Sequence, residues 1–103
     1  MGGRTAFADL QRRGRRVRRG TITVTWLAGD PAEPPRVAYA VGRRAGNAVT
    51  RNRIRRRLRA VVREAGSELA PGAYLIGAGA EAASLSYGEL RATVNQALRT
   101  VVR

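Results

Sequence analysis

Arg43-Arg44-Ala45-Gly46-Asn47-Ala48-Val49-Thr50-Arg51-Asn52-Arg53-Ile54-Arg55-Arg56-Arg57-Leu58-Arg59-Ala60-Val61-Val62-Arg63 is the stretch whose reading decides this chain. Arginine dominates it, yet Ile54, Leu58, Val61, Val62 and then Ala65 recur at i, i+4, i+7, i+8 and i+11. That spacing is one stripe of a 3.6-residue period, so it predicts a helix from Ala48 to Ala65, ended by Gly66. A disordered basic tail would lack the stripe. With Ile54 at zero and about 100° per residue, the stripe centres near 30°, and Asn52, Arg56, Arg59 and Arg63 fall opposite it. Arg53, Arg55 and Arg57 flank this polar ridge. Arg51 falls toward the apolar side, where an arginine is costly unless it sits in the first turn and reaches past the sheet edge. Ordinary exposed helix faces interleave acids with bases for i,i+4 pairing. Here no acid stands between Arg43 and Arg63, and the first to follow is Glu64. Uncompensated repulsion of this kind points to a polyanionic partner.

Ahead of the helix, Gly46-Asn47 suggests a turn in which Gly46 takes positive φ. It brings Arg43 and Arg44 beside the helix N-terminus, with its free N–H groups and positive dipole end. A plain strand-to-helix turn would use the same residues. Further back, Arg36–Gly42 reads as a strand with Val37, Tyr39 and Val41 on one face. Only Ala38, Ala40 and Gly42 stand on the other, small enough to receive a helix or to leave a groove. Residues 29–35 are a loop by composition. Thr21–Leu27 alternates strictly, with Ile22, Val24 and Trp26 on one side and three threonines on the other. Arg15–Gly20 is a basic segment that could form an edge strand, where arginines discourage sheet-to-sheet pairing. Residues 5–13 read as a short helix, with Phe7 and Leu10 on one face and Gly14 at its end.

Beyond the basic helix, Pro71-Gly72 marks a turn and residues 73–77 a short apolar strand. It shows no clean alternation and so belongs in a sheet centre. Ala78–Ala83 is a small-residue connector. Ser86-Tyr87-Gly88-Glu89 has the form of a capping box, with Leu85 and Leu90 as its hydrophobic staple. Leu90, Val94, Ala97, Leu98 and Val101 then make a second apolar stripe. The order is helix, two or three strands, helix, strand, helix: an α+β sandwich of helices on a small sheet, in one domain spanning residues 1–103.

Composition narrows the chemistry. Twenty basic residues, all arginine, face 7 acids, for a net charge of +13. Guanidinium is planar, permanently charged and suited to bridging phosphate oxygens or stacking on bases. With no Cys and no His, disulfides, thiolate metal sites and His-based catalysis are excluded. The acids are scattered, so no catalytic or metal-ligating set is expected from the chain. No apolar run is long enough to span a bilayer, and no secretory signal is visible; a cytoplasmic protein with no membrane partner is expected. Phe7 has two readings, a core anchor for the first helix or a stacking platform for an unpaired base.

From Gly46 to Arg59 the sequence resembles the protein component of bacterial ribonuclease P. The Arg-Asn-Arg signature stands as Arg51-Asn52-Arg53. The basic pair Arg43-Arg44, the Pro-Gly before an apolar strand and the Leu-Ser-Tyr-x-Glu-Leu entry at 85–90 agree with it. The resemblance implies an α-β-β-β-α-β-α sandwich with a left-handed crossover around the basic helix. It implies a subunit that binds ribonuclease P RNA and the 5′ leader of precursor tRNA. The RNA would carry the catalytic centre and its Mg²⁺, and the holoenzyme would release the leader by hydrolysing one phosphodiester bond. A monomeric protein in a 1:1 complex with the RNA is expected. The positions matching RNA contacts are Arg43, Arg44, Asn47, Arg51, Asn52, Arg53, Arg56 and Arg59; Phe7 matches a leader-cleft aromatic. The chain departs from the family at two cleft positions: Gln11 stands where many members have a second aromatic, and Thr25 where a strand Tyr is common. Three rivals are a ribosomal-type RNA-binding protein, a duplex-DNA reader and a metal-dependent protein nuclease. The absent His and scattered acids argue against the last.

Overall fold

The structure, a computed structural model, describes residues 9–103. Residues 9–13 are helical (α1), and the part of the expected first helix before them, Phe7 included, lies outside the described residues. Four strands follow the pattern of the sequence: β1 (Arg15–Arg19), β2 (Ile22–Ala28), β3 (Arg36–Val41) and β4 (Gly72–Ala78). The two long helices are α2 (Ala48–Ala65) and α3 (Tyr87–Val101). This is the expected α-β-β-β-α-β-α order.

The four strands form one sheet in the order β1-β2-β4-β3. β1 is an edge strand, joined antiparallel to β2 through a tight turn in which Arg19 pairs with Ile22. β4 runs antiparallel to β2 and parallel to β3. A parallel pair needs a long crossover, and α2 supplies it between β3 and β4. The basic helix is therefore part of the chain's topology.

Each row of paired residues points to one face of the sheet. Val24, Ile76 and Tyr39 stand in one such row, and Trp26, Tyr74 and Val37 in the next. This face meets α2 and α3. Ile22, Val24, Leu58, Val61, Ile76, Val94, Ala97 and Val101 are completely buried in the shared core. Burying an aliphatic side chain of this size contributes about 1.5–3 kcal/mol. Trp26 packs at its margin, with ring centroids 6.4 Å from Tyr74, and its Nε1 donates to the Pro71 carbonyl at 3.2 Å.

Several local expectations need correction. β4 does alternate, burying Tyr74, Ile76 and Ala78, and the pattern is blurred in sequence because the residues between are also part-buried. The connector after it carries a 3-10 helix, Ala80–Ser84, anchored by buried Ala82. Small residues without a period leave no sign of it. The turn before α2 is also a 3-10 segment, Arg43–Ala45, and β3 ends at Val41 rather than at Gly42. The capping box of α3 forms as expected. Ser86 Oγ accepts from Glu89 N at 3.1 Å and Ser86 N donates to Glu89 Oε1 at 2.8 Å.

Candidate nucleic-acid interface

The entry to α2 is built from three devices. Ala45 is buried and pins the 3-10 turn, which leaves Arg43 and Arg44 exposed. Gly46 takes φ 137°, and a Cβ there would stand 2.9 Å from the Thr50 side chain; only glycine fits. Asn47 caps the helix, its Oδ1 accepting from Thr50 N at 2.9 Å. Its side-chain amide N–H groups are thus the part of Asn47 left to meet a partner. The first turn of α2 carries no acid, and Arg51 and Arg53 sit near the positive end of the dipole, where cations are disfavoured. A polyanion laid there reverses the sign of that interaction.

Along the outward face, Asn52, Arg56 and Arg59, together with Arg55, border an open concavity of about 560 Å³. Arg53 and Arg63 are also exposed. The flanking arginines behave differently. Arg55 donates to Asn52 Oδ1 at 2.9 Å and to the Val41 carbonyl at 3.4 Å. Arg57 donates to the Leu85 carbonyl at 3.3 Å, so both partly serve the fold. Arg59 lies over the Tyr39 ring, 5.7 Å from its centroid, a cation–π arrangement. Burial pushes the Tyr39 phenol above its ordinary value of 10.0, while the charges of Arg59 and Arg63 pull it down.

Arg51 is half-buried, as its position on the apolar side requires. Its Nε is buried with no hydrogen-bond partner among the described residues. Leaving a buried charged donor unsatisfied is costly, so Arg51 holds a donor in want of an acceptor. Sequence reasoning missed Val49, which is 72% exposed in the first turn. The same helical arithmetic that turns Asn52 and Arg56 outward places Val49 beside them.

A second feature lies on the sheet face away from α2 and α3. There Thr23, Thr25, Ala40, Leu75 and Gly77 floor a groove of about 660 Å³. Of the two uses open to the small face of β3, the structure realises the groove. One wall comes from α1 and β1 through Gln11, Gly14, Arg16 and Arg18, and the other end from Arg44, Ala80 and Glu81. Gly14 allows α1 to close against the sheet, since a Cβ there would meet the Leu10 carbonyl at 2.4 Å and Thr25 Cγ2 at 2.9 Å. Arg44 thus belongs to both surfaces, the entry to α2 and the end of the groove.

Among the described residues only two ion pairs form, Arg12–Asp9 at 3.5 Å and Arg91–Glu64 at 2.7 Å. Every expected RNA-contact arginine therefore lacks an acidic partner among them. No described helix is long and apolar enough to cross a membrane.

These features define a class: small, strongly basic α+β proteins whose crossover helix turns an arginine face outward, with an open groove on the far side of the sheet. The family model described as Ribonuclease P matches residues 1–102. The ribonuclease P protein component of Thermobifida fusca is 38% identical over 97% of this chain and 74% of its own length. That of Clavibacter michiganensis is 37% identical over 94% of this chain and 93% of its own. For the component from a Nocardioides strain, identity is 46% over 68% of this chain and 62% of the relative. The ribonuclease P protein of Staphylococcus aureus shares the fold at a TM-score of 0.87, with 19% identity and coverage of 97% of this chain and 92% of that one. The Thermotoga maritima protein does so at 0.83, with 16% identity and coverage of 95% and 93%. The chain belongs to the ribonuclease P protein family, as the Arg51-Asn52-Arg53 signature had implied.

Proposed function

We propose that this chain is the protein subunit of a ribonuclease P holoenzyme that removes the 5′ leader of precursor tRNA in the cytoplasm. In this reading it acts as a monomer, in a 1:1 complex with the ribonuclease P RNA. Arg43, Arg44, Asn47, Arg51, Asn52, Arg53, Arg56 and Arg59 contact RNA. The observation that carries the proposal is the outward face of α2, where the arginines have no acidic partner among the described residues. Phosphate oxygens supply the missing counter-charge.

The RNA holds the catalytic centre and Mg²⁺. Mg²⁺ takes oxygen ligands, chiefly carboxylate, phosphate and water, and no cluster of three acidic side chains forms among the described residues. The chain's work is binding and positioning. The α2 face neutralises phosphates and releases counterions. The groove, joined to that face by Arg44, receives the single-stranded leader with little sequence readout, and Phe7 serves as a leader-stacking aromatic. Mature tRNA has no leader, so grip through the groove favours substrate over product.

The test is to mix the purified protein with a bacterial ribonuclease P RNA and precursor tRNA at low Mg²⁺. Cleavage at the mature 5′ end that requires both protein and RNA is expected. Absence of stimulation with a competent RNA would make the chain a general RNA-binding protein. Cleavage without the RNA would place a catalyst in the chain itself.

A further inference from the structure

The arginines of β1 are not accounted for by the α2 face, which lies at the opposite edge of the sheet. β1 reads Arg15-Arg16-Val17-Arg18-Arg19, and its pairing with β2 splits the four arginines between the two sheet faces. Arg15 and Arg19 point toward α3, where Arg15 Nη1 donates to the Arg103 carbonyl and Arg19 Nη2 to Thr100 Oγ1 at 3.5 Å. Arg16 and Arg18 point the other way, into the groove.

The register then lays out two rows across the sheet. One runs Arg18, Thr23, Gly77, Ala40; the next runs Arg16, Thr25, Leu75, Ala38. Each begins with a guanidinium at the β1 edge and crosses side chains no larger than leucine toward β3, a distance of about 14 Å for three strand spacings. Arg44 stands at the other end of the groove. Gln11 and Thr25 line it, and none of its described lining residues is aromatic. Arg16 and Arg18 are exposed, and neither forms an ion pair among the described residues.

We propose that Arg16 and Arg18 form a phosphate-gripping rim for the single-stranded leader, so that this groove holds RNA chiefly by charge at its β1 edge. The inference rests on the leader reading above and adds the residues and the kind of force. A groove with two guanidiniums along its β1 edge, Arg44 beside Glu81 at the other end, and a floor of threonine, alanine, glycine and Leu75 carries net positive charge and complements a flexible polyanion. Guanidinium planes also stack on unpaired bases. Binding through phosphates makes the grip tolerant of leader sequence and steep in salt.

The experiment uses the reconstituted holoenzyme and two precursor tRNAs, one with a leader of about ten nucleotides and one with a single nucleotide. Arg16→Ala with Arg18→Ala is expected to weaken binding of the long-leader substrate about tenfold and to leave the short one unchanged. The log–log salt slope for the long leader should become shallower by about 1.4, two phosphates at single-strand weight. Arg16→Lys with Arg18→Lys should restore that slope, because charge is kept. Equal loss on both substrates would overturn the proposal and place these arginines against the catalytic RNA. No loss, while the wild-type holoenzyme still prefers the long leader, would overturn it and leave the leader reading intact. A wild-type holoenzyme indifferent to leader length would remove the leader reading, and this inference with it.

Discussion

α2 and α3 lie on the same face of the same sheet and bury the same kind of apolar stripe. α2 contributes Ile54, Leu58 and Val61 to the core; α3 contributes Leu90, Val94, Ala97, Leu98 and Val101. Their outward faces differ. α3 mixes Glu89, Arg91, Gln96 and Arg99, and its first turn is closed by a reciprocal capping box. α2 carries arginine almost without relief, has no acid in its first turn, and relies on Asn47 alone as a cap. The inward stripes fix where both helices lie. What each presents to solvent is free of that constraint, and on α3 it follows the rules that stabilise a helix. On α2 the pairing rule is broken from Asn52 to Arg59, so that stretch answers to a demand other than folding.

The largest effects test whether the two inward stripes are equivalent. Leu58→Ala and Leu90→Ala should each lose roughly 2–5 kcal/mol in denaturant unfolding, since both side chains are essentially fully buried and leave cavities. A much smaller loss at Leu58 than at Leu90 would mean that α2 is not packed as firmly as α3. The next effect tests the outward faces. Arg56→Ala with Arg59→Ala should weaken binding to ribonuclease P RNA by about two orders of magnitude at low salt and flatten the salt dependence. Arg91→Ala with Arg99→Ala removes the same charge from α3 and should leave affinity within about twofold, with at most ~1 kcal/mol of stability lost with the exposed Arg91–Glu64 pair. Similar losses from both pairs in a filter-binding titration would show that net charge, and not the α2 face, governs recognition.

The contrast also marks where sequence is legible. The bounds of α2, its Gly46 turn and the capping box of α3 follow from spacing and cap chemistry, which act within a few residues. Strand order is different. β4 lies between β2 and β3 although it follows both in the chain, and local pattern carries no trace of which strand fills that gap. The 3-10 helix at Ala80–Ser84 is equally silent, because its small residues have no period. Within the site, helical arithmetic separates the outward ridge from the stripe and singles out Arg51. It does not show that Arg55 and Arg57 reach back to carbonyls of β3 and of the segment before α3. Those acceptors are fixed only when the chain closes. The groove needed the register: Arg16 and Arg18 join Thr25 and Thr23 only through pairing.

The smallest effect probes the contact between α2's outward face and the sheet. Burial raises the phenol pKa of both Tyr39 and Tyr74 above the ordinary 10.0. A raised value means that the folded chain holds the proton more tightly than the unfolded chain. The associated stability is therefore complete below pH 10.0 and is lost as pH climbs from there toward the folded values. Arg59 opposes the shift only at Tyr39, where it sits over the ring. Arg59→Gln removes that charge while keeping most of the side chain over the ring. It should move Tyr39 further up and leave Tyr74 where it is, because Tyr74 is buried under different neighbours, with its hydroxyl bonded to the Ala70 carbonyl at 2.7 Å. Alkaline titration of the phenolate absorbance, with Tyr39→Phe and Tyr87→Phe to assign the three tyrosine signals, reads both at once. A shift at Tyr39 alone would place the Arg59 charge over the sheet as well as on the outward ridge. No shift would mean that Arg59 stands away from the ring in solution, leaving its charge wholly to the outward face of α2.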